Sequence, residues 1–297
     1  MVKGFIMNNE EQQYLNLLKE CIENGTERPS DVERTGTGTV GTIGSMMKFD
    51  LSGNKIPLLT TKKVYWKGVV EELLWFIDGE TDSYVLEDAG VSIWQGNTTR
   101  EFLDNKHLRH VPTGDIGTGY GFQWRNWGGD YDLWISEGRR SGYDQLAELV
   151  QGLRDEPNSR RHVLSSWNVS QLDEMALPPC HMMSTFSVLG GKLHSCLLCR
   201  SQDLFLGTPF NLASYGLLTH LIANDLGIEA GSFTWFGADV HLYNSHREQA
   251  EEQFNRDPYD FPTITLPVGK SIFEVISEDI VLSNYQSHPA IKAEMAV

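Results

Sequence analysis

The chain has 297 residues, of which 40% are hydrophobic, and a formal net charge of −16. This length suits one large domain or two small ones, and the composition supports a sizeable core. The acidic balance argues against nucleic-acid binding, which needs a basic face, but a few convergent arginines would suffice for an anionic small molecule. No apolar run approaches the roughly 18 residues of a membrane span, so no membrane partner is expected.

The cysteines and the N-terminus indicate the cellular compartment. The start of the chain is too short and too quickly acidic for a signal peptide, and residues 1–9 are expected to be a flexible extension. The four cysteines suggest no disulfide framework, so a reducing cytosol is the expected location. Cys196 and Cys199 form a C-x-x-C that could hold a metal, but no second cysteine pair accompanies them, and no metal is expected.

The first third of the chain predicts two helices. Apolar residues recur near period 3.6 over residues 10–24, and Gly25 ends that helix. Residues 34–39 predict a loop that enters a strand; they lack the third glycine of a dinucleotide fingerprint.

The second predicted helix spans residues 66–78 and carries two adjacent acids. Glu71 and Glu72 would point about 100° apart, so at least one should face the interior or a cleft. The alternative is a partly exposed helix with both acids in solvent.

The remaining two thirds predict a mixed α+β fold. Residues 103–142 are glycine-rich and predict long surface loops. Gly190-Gly191 between alternating runs predicts a hairpin. The other predicted elements are helices over 143–154, 212–224 and 245–255, and strands over 162–167, 184–189, 192–199 and 232–243. Together they predict one domain over 1–297, with a curved, mostly antiparallel mixed sheet covered by helices.

The segment Leu177-Pro178-Pro179-Cys180-His181 presents a thiol on a stiff approach, as a nucleophile requires. Adjacent residues of an extended segment point to opposite faces, so His181 is a poor base for Cys180. Positive charge from nearby arginines is a better means of stabilising the thiolate.

Four arginines are candidates for anion binding: Arg34, Arg160, Arg161 and Arg200, the last followed by the donor Ser201. Surface salt bridging is the alternative. Asn211 either caps the apolar helix or reads the N3–H and O4 edge of uracil. His241 and Tyr243 alternate on a strand and therefore share one face, where they either bind a ribose hydroxyl or simply pack.

From about residue 10 to the C-terminus, the chain resembles thymidylate synthase and, more broadly, the family that includes the phage pyrimidine hydroxymethylases. The matching stretches are Arg34-Thr35-Gly36-Thr37-Gly38-Thr39, Glu71-Glu72-Leu73-Leu74-Trp75-Phe76, Ser92-Ile93-Trp94, Gly119-Tyr120-Gly121-Phe122-Gln123-Trp124-Arg125, Ser159-Arg160-Arg161, Pro179-Cys180-His181, Arg200-Ser201-Gln202-Asp203, Leu206-Gly207-Thr208-Pro209-Phe210-Asn211-Leu212-Ala213-Ser214-Tyr215 and Asp239-Val240-His241-Leu242-Tyr243.

The resemblance implies a homodimer, with a sheet face as the interface and a cavity in each subunit. It implies that Cys180 attacks C6 of dUMP and that 5,10-methylenetetrahydrofolate, a co-substrate, delivers its one-carbon unit to C5. The implied nucleotide ligands are Arg34, Arg200 and Ser201 for phosphate, with Arg160 and Arg161 from the partner subunit, Asn211 for uracil, and His241 and Tyr243 for ribose.

The same resemblance implies further roles around the reacting carbon. Glu72 would be the acid–base acting through water, and Tyr120 would help to remove the C5 proton. The implied folate residues are Ile93, Trp94, Leu177, Asp203, Gly207 and Phe210, with Ala296 and Val297 in a closing C-terminal lid; Asp203 also counts among the catalytic groups.

The chain departs from the family pattern at four positions. Thr185 and Cys199 replace glutamines, Gln95 replaces an aspartate and is shared with the dCMP hydroxymethylases, and Glu294 replaces a proline. These changes leave the last step open: hydride transfer gives dTMP and water gives 5-hydroxymethyl-dUMP. Asn211, where the dCMP enzymes have aspartate, favours uracil.

We expect thymidylate synthase activity in the cytoplasm, or in a host's cytoplasm if the chain is viral. A dUMP hydroxymethylase is the alternative. A silent nucleotide-binding protein and an unrelated cysteine hydrolase are two further alternatives.

Overall fold

The computed structural model describes residues 8–32 and 36–295. Its centre is a six-stranded sheet in the order β1-β2-β6-β5-β4-β3, in which β5 and β6 run parallel and the other neighbours antiparallel. The sheet is therefore mixed and mostly antiparallel, as predicted. The strands are β1 (Thr26–Arg28), β2 (Thr39–Asp50), β3 (Val163–Ser165), β4 (His181–Leu189), β5 (Lys192–Asp203) and β6 (Glu229–Tyr243), with β7 (Thr263–Thr265) and β8 (Val281–Ser283) pairing separately.

Helices cover one face of this sheet. The helices are α1 (Asn9–Asn24), α2 (Trp66–Asp78), α3 (Ser83–Asp88), α4 (Arg100–Asn105), α5 (Gly121–Asn126), α6 (Tyr131–Glu137), α7 (Gln145–Asp155), α8 (Gly207–Leu226) and α9 (Arg247–Phe254). The long helix α8 packs on β5 and β6 and is buried along most of its length, which agrees with its prediction as a core helix. Within the described residues, no helix combines the length and apolarity that a bilayer crossing demands.

The hairpin between β4 and β5 forms at the predicted place. Gly190 and Gly191 have φ of 60° and 75°, the left-handed pair that a tight two-residue turn requires. Both strands are longer than predicted, because the ladder continues past the apolar stretch to pair His181 with Cys199. This extension brings Arg200 next to Cys180.

The prediction of long surface loops over residues 103–142 holds only in part: residues 106–113 and 138–141 lie outside the helices and are mostly exposed. Helix α5 lies within this range, and all six of its residues are buried against α2 and α7. Some of the glycines in this range permit close packing. At Gly117, with φ of 72°, a Cβ would lie only 2.0 Å from the carbonyl oxygen of Glu174.

The N-terminal helix begins one residue earlier than predicted and shortens the expected extension. The side-chain oxygen of Asn8 accepts hydrogen bonds from the backbone N–H groups of Glu10 and Glu11, at 3.1 and 3.2 Å, so Asn8 and Asn9 belong to the folded chain. Residues 1–7 lie outside the described residues. Gly25 ends the helix in an extended conformation with ψ of 158°, and a Cβ there would lie 2.2 Å from the Cys21 carbonyl oxygen.

Candidate active site

Cys180 lies where the β4–β5 ladder meets the segment that leads into α5. Its carbonyl oxygen accepts a hydrogen bond from the backbone N–H of Arg200 at 2.9 Å. Its own N–H donates to the hydroxyl of Tyr120, also at 2.9 Å. The half-buried thiol is thus fixed through its backbone on two sides.

Arg200 is the cation next to this thiol. Its Nε and Nη2 donate to the carbonyl oxygens of Pro179 and Pro178 at 2.9 and 2.8 Å, and Nη2 lies 4.0 Å from the Cys180 sulfur. The guanidinium stands over the ring of Trp167, 5.3 Å from its centroid. A fixed positive charge so close to the sulfur favours the thiolate.

His181 has a different surrounding from Cys180. Its Nδ1 forms a 2.8 Å hydrogen bond with the hydroxyl of Tyr215, and its ring stacks on Tyr120 at 4.2 Å. Burial lowers the pKa of His181 to about 3, so the imidazole is neutral at pH 7. His181 therefore supports Tyr120 instead of acting as a base for Cys180, which argues against the cysteine hydrolase.

Tyr120 has a strained backbone. It is a non-glycine residue with φ of 33° and ψ of −94°, at the start of α5. Strain of this kind costs about 1–3 kcal/mol and is typical of functional positions. The ring stacks on Phe76 at 4.9 Å and meets the edge of Trp94 at 5.8 Å, which holds the hydroxyl at Cys180.

Glu72 is the inward-facing acid of α2. Its carboxylate accepts a 2.9 Å hydrogen bond from the indole Nε1 of Trp94. Burial raises the pKa of Glu72 to about 7, although the bond from Trp94 opposes the rise. A carboxyl that titrates near neutrality suits general acid–base work. Glu71 instead lines a separate surface pocket beside Asp78, so only one of the two acids faces the site.

Asn211 is not a helix cap. Helix α8 begins at Gly207, so Asn211 lies in its second turn and the capping alternative is wrong. Its Nδ2 donates to Oε1 of Gln202 on β5 at 3.0 Å, which fixes the orientation of the amide. The helix starts early because Asp203 accepts from the N–H groups of Phe205 and Leu206 and ends the strand in a tight turn.

His241 and Tyr243 lie on the same side of β6, with ring centroids 5.4 Å apart. Nδ1 of His241 lies 3.2 Å from Oδ1 of Asp239. Arg28 donates to both oxygens of this carboxylate, from Nη1 to Oδ1 at 3.0 Å and from Nη2 to Oδ2 at 2.7 Å. Burial works against the ionised form of Asp239, but the bonds from Arg28 prevail and lower the pKa of its carboxyl. The Asp239 carboxylate therefore fixes the orientation of the His241 imidazole through Nδ1.

The residues expected to contact folate form a partly apolar wall beside these groups. Trp94 is buried next to Glu72, whereas Ile93, Leu177 and Phe210 are half-buried. A Cβ at Gly68 of α2 would meet the Phe210 ring at 3.4 Å, so Phe210 packs close to α2. The register of β5 and β6 places Asp203 beside His241 and Ser201 beside Asp239.

The structure does not bring every predicted residue to this cluster. Arg160 and Arg161 are exposed on the segment between α7 and β3, and Arg161 lines a surface cleft with Trp127 and Tyr143. Arg34, Ala296 and Val297 lie outside the described residues.

Sequence reasoning missed Lys62. This lysine is buried, donates through Nζ to the carbonyl oxygen of Phe205 and stands 3.4 Å from the centroid of that ring. Burial lowers the pKa of Lys62 to about 7, against the attraction of nearby Asp203. The run Thr61-Lys62-Lys63 looks like solvated surface, so no sequence signal marks it. Three residues that position other groups of the site were also missed. Trp167 lies under the guanidinium of Arg200, Gln202 accepts from Asn211, and Tyr215 bonds to His181.

Two of the departures from the family pattern lie on opposite faces of the sheet. Cys199 pairs with His181 and is fully buried on the helix-covered face, where burial raises the pKa of its thiol. Thr185 pairs with Cys196 on the other face. Because Cys196 and Cys199 are separated by an odd number of strand positions, their side chains diverge and cannot converge on one metal.

Comparisons with known proteins agree with this geometry. The profile of the family described as thymidylate synthase matches residues 12–297. The chain is 45% identical to a thymidylate synthase of Ascaris suum over 298 residues, covering 100% of both chains. It is 46% identical to the thymidylate synthase of Equine herpesvirus 2 over 97% of this chain and 98% of that one.

A longer relative is covered in part. The chain is 44% identical to a bifunctional dihydrofolate reductase-thymidylate synthase of Paramecium tetraurelia over 97% of its own length but 62% of the relative's. With a profile match over nearly the whole chain and full-length relatives above 40% identity, this chain belongs to the thymidylate synthase family.

Proposed function

We propose that this chain catalyses the reductive methylation of dUMP to dTMP with 5,10-methylenetetrahydrofolate. The observation that carries the proposal is Cys180, whose thiol lies beside Arg200 and whose backbone N–H is fixed by Tyr120, within a site where burial raises the pKa of Glu72 to about 7. The names of the full-length relatives favour the synthase over the hydroxymethylase.

Cys180 is the proposed nucleophile. Its thiolate, stabilised by Arg200, forms a bond to C6 of uracil, and the electrons of the C5–C6 double bond move towards C5 and O4. When bound, methylenetetrahydrofolate supplies a one-carbon unit and then a hydride, and leaves as dihydrofolate. The sulfur–C6 bond breaks as the methyl group is completed, which restores the C5–C6 double bond and the thiolate.

Glu72 and Tyr120 manage protons around C5 and O4. A carboxyl with a pKa of about 7 can both give and take a proton at neutral pH, here through water to O4. Burial raises the pKa of Tyr120 well above its usual value, so the phenol stays protonated. Its hydroxyl therefore orients the group that takes the C5 proton, without becoming a phenolate.

Charged and polar side chains bind the phosphate, the base and the ribose of the nucleotide. Arg200 uses Nε and Nη2 on the proline carbonyls, which leaves Nη1, with Ser201 and Arg34, for the phosphate. Asn211 donates one Nδ2 hydrogen to Gln202, and its second hydrogen and Oδ1 match O4 and N3–H of uracil. His241 and Tyr243 bind the ribose.

The folate ring packs on the apolar wall next to Asp203. Ile93, Leu177 and Phe210 offer a half-buried apolar surface beside the buried indole of Trp94, which suits a fused heteroaromatic ring, and Gly207 allows close approach. The C-terminal segment is held near the end of β6, since Nε2 of the His246 ring bonds to the Glu294 carbonyl oxygen at 2.7 Å and that ring meets the Tyr243 ring edge-on, 5.7 Å between centroids. Ala296 and Val297 would close over the ligands from there.

A homodimer is the proposed assembly, through the sheet face that helices leave uncovered. Met46 on β2 is 60% exposed, and the ladders align it with Phe236, Leu198 and Met183 across four strands. An exposed apolar stripe of this kind is typical of an interface. The exposed Arg160 and Arg161 would reach the phosphate of the partner subunit. We expect the dimer in the cytosol.

Product analysis tests the function. Incubation of the protein with dUMP and methylenetetrahydrofolate should give dTMP and dihydrofolate, identified by mass spectrometry and by the absorbance of the folate. A nucleotide one oxygen heavier, with tetrahydrofolate left behind, would identify a hydroxymethylase instead. dCMP is the matched control: turnover of dCMP at a comparable rate would contradict the role of Asn211.

A further inference from the structure

Asp115 is a buried carboxylate with no part in the chemistry described above. Its Oδ1 accepts hydrogen bonds from the hydroxyl of Tyr131 at 2.6 Å and from the backbone N–H of Gly117 at 2.7 Å. Its Oδ2 accepts from the hydroxyl of Thr81 at 2.7 Å. Three elements of the chain therefore meet at this one side chain: the turn after α2, the segment 115–118 and α6.

The segment that Asp115 fixes is tied in turn to the approach to the nucleophile. Residues 116–118 pair by their backbone with residues 174–176: the N–H of Ala176 donates to Ile116, and the N–H of Thr118 donates to Glu174, at 2.9 and 3.2 Å. Gly117 forms a bridge with Met175 between these bonds. Four residues past Ala176 the chain reaches Cys180.

The same segment leads into the strained residue of the site. Tyr120 follows Thr118 by two positions and has φ of 33°, a conformation that persists only where its surroundings enforce it. Gln123 contributes by donating to the Thr118 carbonyl oxygen at 2.9 Å. The segment is thus held at both ends, by Asp115 before it and by α5 after it.

We propose that Asp115 is a positioning residue for catalysis, which locks segment 115–118 against residues 174–176 and so holds the Tyr120 hydroxyl on the Cys180 backbone. This inference rests on the proposed function, because it assigns Tyr120 to the step in which the C5 proton leaves. Asp115 acts through geometry: all three of its bonds are made to protein groups, and it touches neither Cys180 nor Tyr120 through any of them.

The test compares two substitutions at this position. Asn in D115N keeps an oxygen for Tyr131 and Gly117 and offers an N–H to the Thr81 hydroxyl, which can rotate to accept; we expect nearly native kcat. In Asp115→Ala the three donors lose their acceptor. We expect kcat per folded molecule to fall by about 10²-fold, as displacement of a reacting group by an ångström does, while KM for dUMP changes little.

A kinetic isotope effect separates positioning from a structural role. With dUMP deuterated at C5, Asp115→Ala should show a larger isotope effect on kcat than the native protein, because proton removal has become slower. Tyr131→Phe, which removes one of the three bonds, should shift both quantities in the same direction by less, and it serves if Asp115→Ala fails to fold. Leu18→Ala, a truncation in the buried face of α1, is the stability control and should leave both quantities unchanged.

Two results would overturn the proposal: an unchanged kcat per folded molecule in Asp115→Ala and Tyr131→Phe, or a lower kcat with the native isotope effect. Failure of the proposed function is read separately, from a native sample that forms no dTMP.

Discussion

At the scale of single residues, the site combines a thiol, a fixed cation and an acid that titrates near neutrality. The environment of each group is made by burial and by one or two named neighbours: Arg200 at Cys180, and Trp94 at Glu72. This gives direct expectations for substitution of either group.

Replacement of Cys180 by alanine should abolish dTMP formation and leave dUMP binding within about tenfold of native. The reason is that the nucleophile is lost while Arg200, Asn211 and the ribose contacts remain. Calorimetric titration with dUMP measures binding, and product analysis measures turnover. Persistent turnover would show that another group is the nucleophile.

Replacement of Glu72 by glutamine should lower kcat by about 10²–10⁴-fold, the usual contribution of an acid–base. The native pH profile should show an ionisation near pH 7 that the variant lacks.

The pH dependence of stability gives a second test of the carboxyl of Glu72. Its pKa is raised above the unfolded value of 4.5, so its stabilising contribution is complete below pH 4.5 and disappears as the pH rises through 7. Urea unfolding at pH 5 and pH 8 should show Glu72→Gln gaining stability relative to the native protein at the higher pH. Equal differences at the two pH values would contradict the raised pKa.

At the scale of elements, the register of β5 and β6 assembles the site. It sets Ser201 beside Asp239 and Asp203 beside His241, so that the phosphate, ribose and folate residues lie along two adjacent strands. The ion pair of Arg28 with Asp239 extends this line to β1 and gives His241 its support.

Replacement of Asp239 by asparagine should raise KM for dUMP about threefold to tenfold, which corresponds to the roughly 0.5–1.5 kcal/mol of one hydrogen bond. The amide weakens both the hold of Arg28 and the orientation of His241, but it leaves Cys180 untouched, so kcat should stay near native. Initial-rate kinetics measure both constants. A fall in kcat with an unchanged KM would place Asp239 in a different role.

The sequence predicted some elements well for physical reasons. Helix α1 has a clear periodic pattern, α2 is a mostly apolar run, and the hairpin carries paired glycines. The observed bounds of both helices and of the turn differ from the predicted ones by one residue or none. Helix α5 was not predicted because its glycine-rich surroundings resemble loops. The extension of β5 was not predicted because its last residues are polar.

The motif residues of the site were recognised by resemblance. Their supports were not, because a buried lysine such as Lys62 or a hydroxyl such as that of Tyr215 has no distinctive pattern in one sequence.

At the scale of the whole molecule, the proposed dimer makes each site from two chains. Isologous pairing of the uncovered sheet face would bury the apolar stripe and carry the exposed arginines across. Replacement of Met46 by glutamate should therefore yield monomers without dTMP formation, because a charge within the stripe cannot be buried unpaired. Analytical ultracentrifugation and the product assay measure the two effects. An active monomer would contradict the shared site.

The contact of Arg200 with the proline carbonyls determines which substitutions the segment around Cys180 can accept. The guanidinium donates to the main-chain oxygens of residues 178 and 179, so this contact does not depend on the side chains at these positions. The arginine itself is not replaceable in the same way. Lysine carries a single ammonium group and has no planar surface for Trp167, so it cannot span two carbonyls while stacked. Substitutions at residues 178 and 179 should therefore preserve this contact, whereas substitution of Arg200 should abolish it.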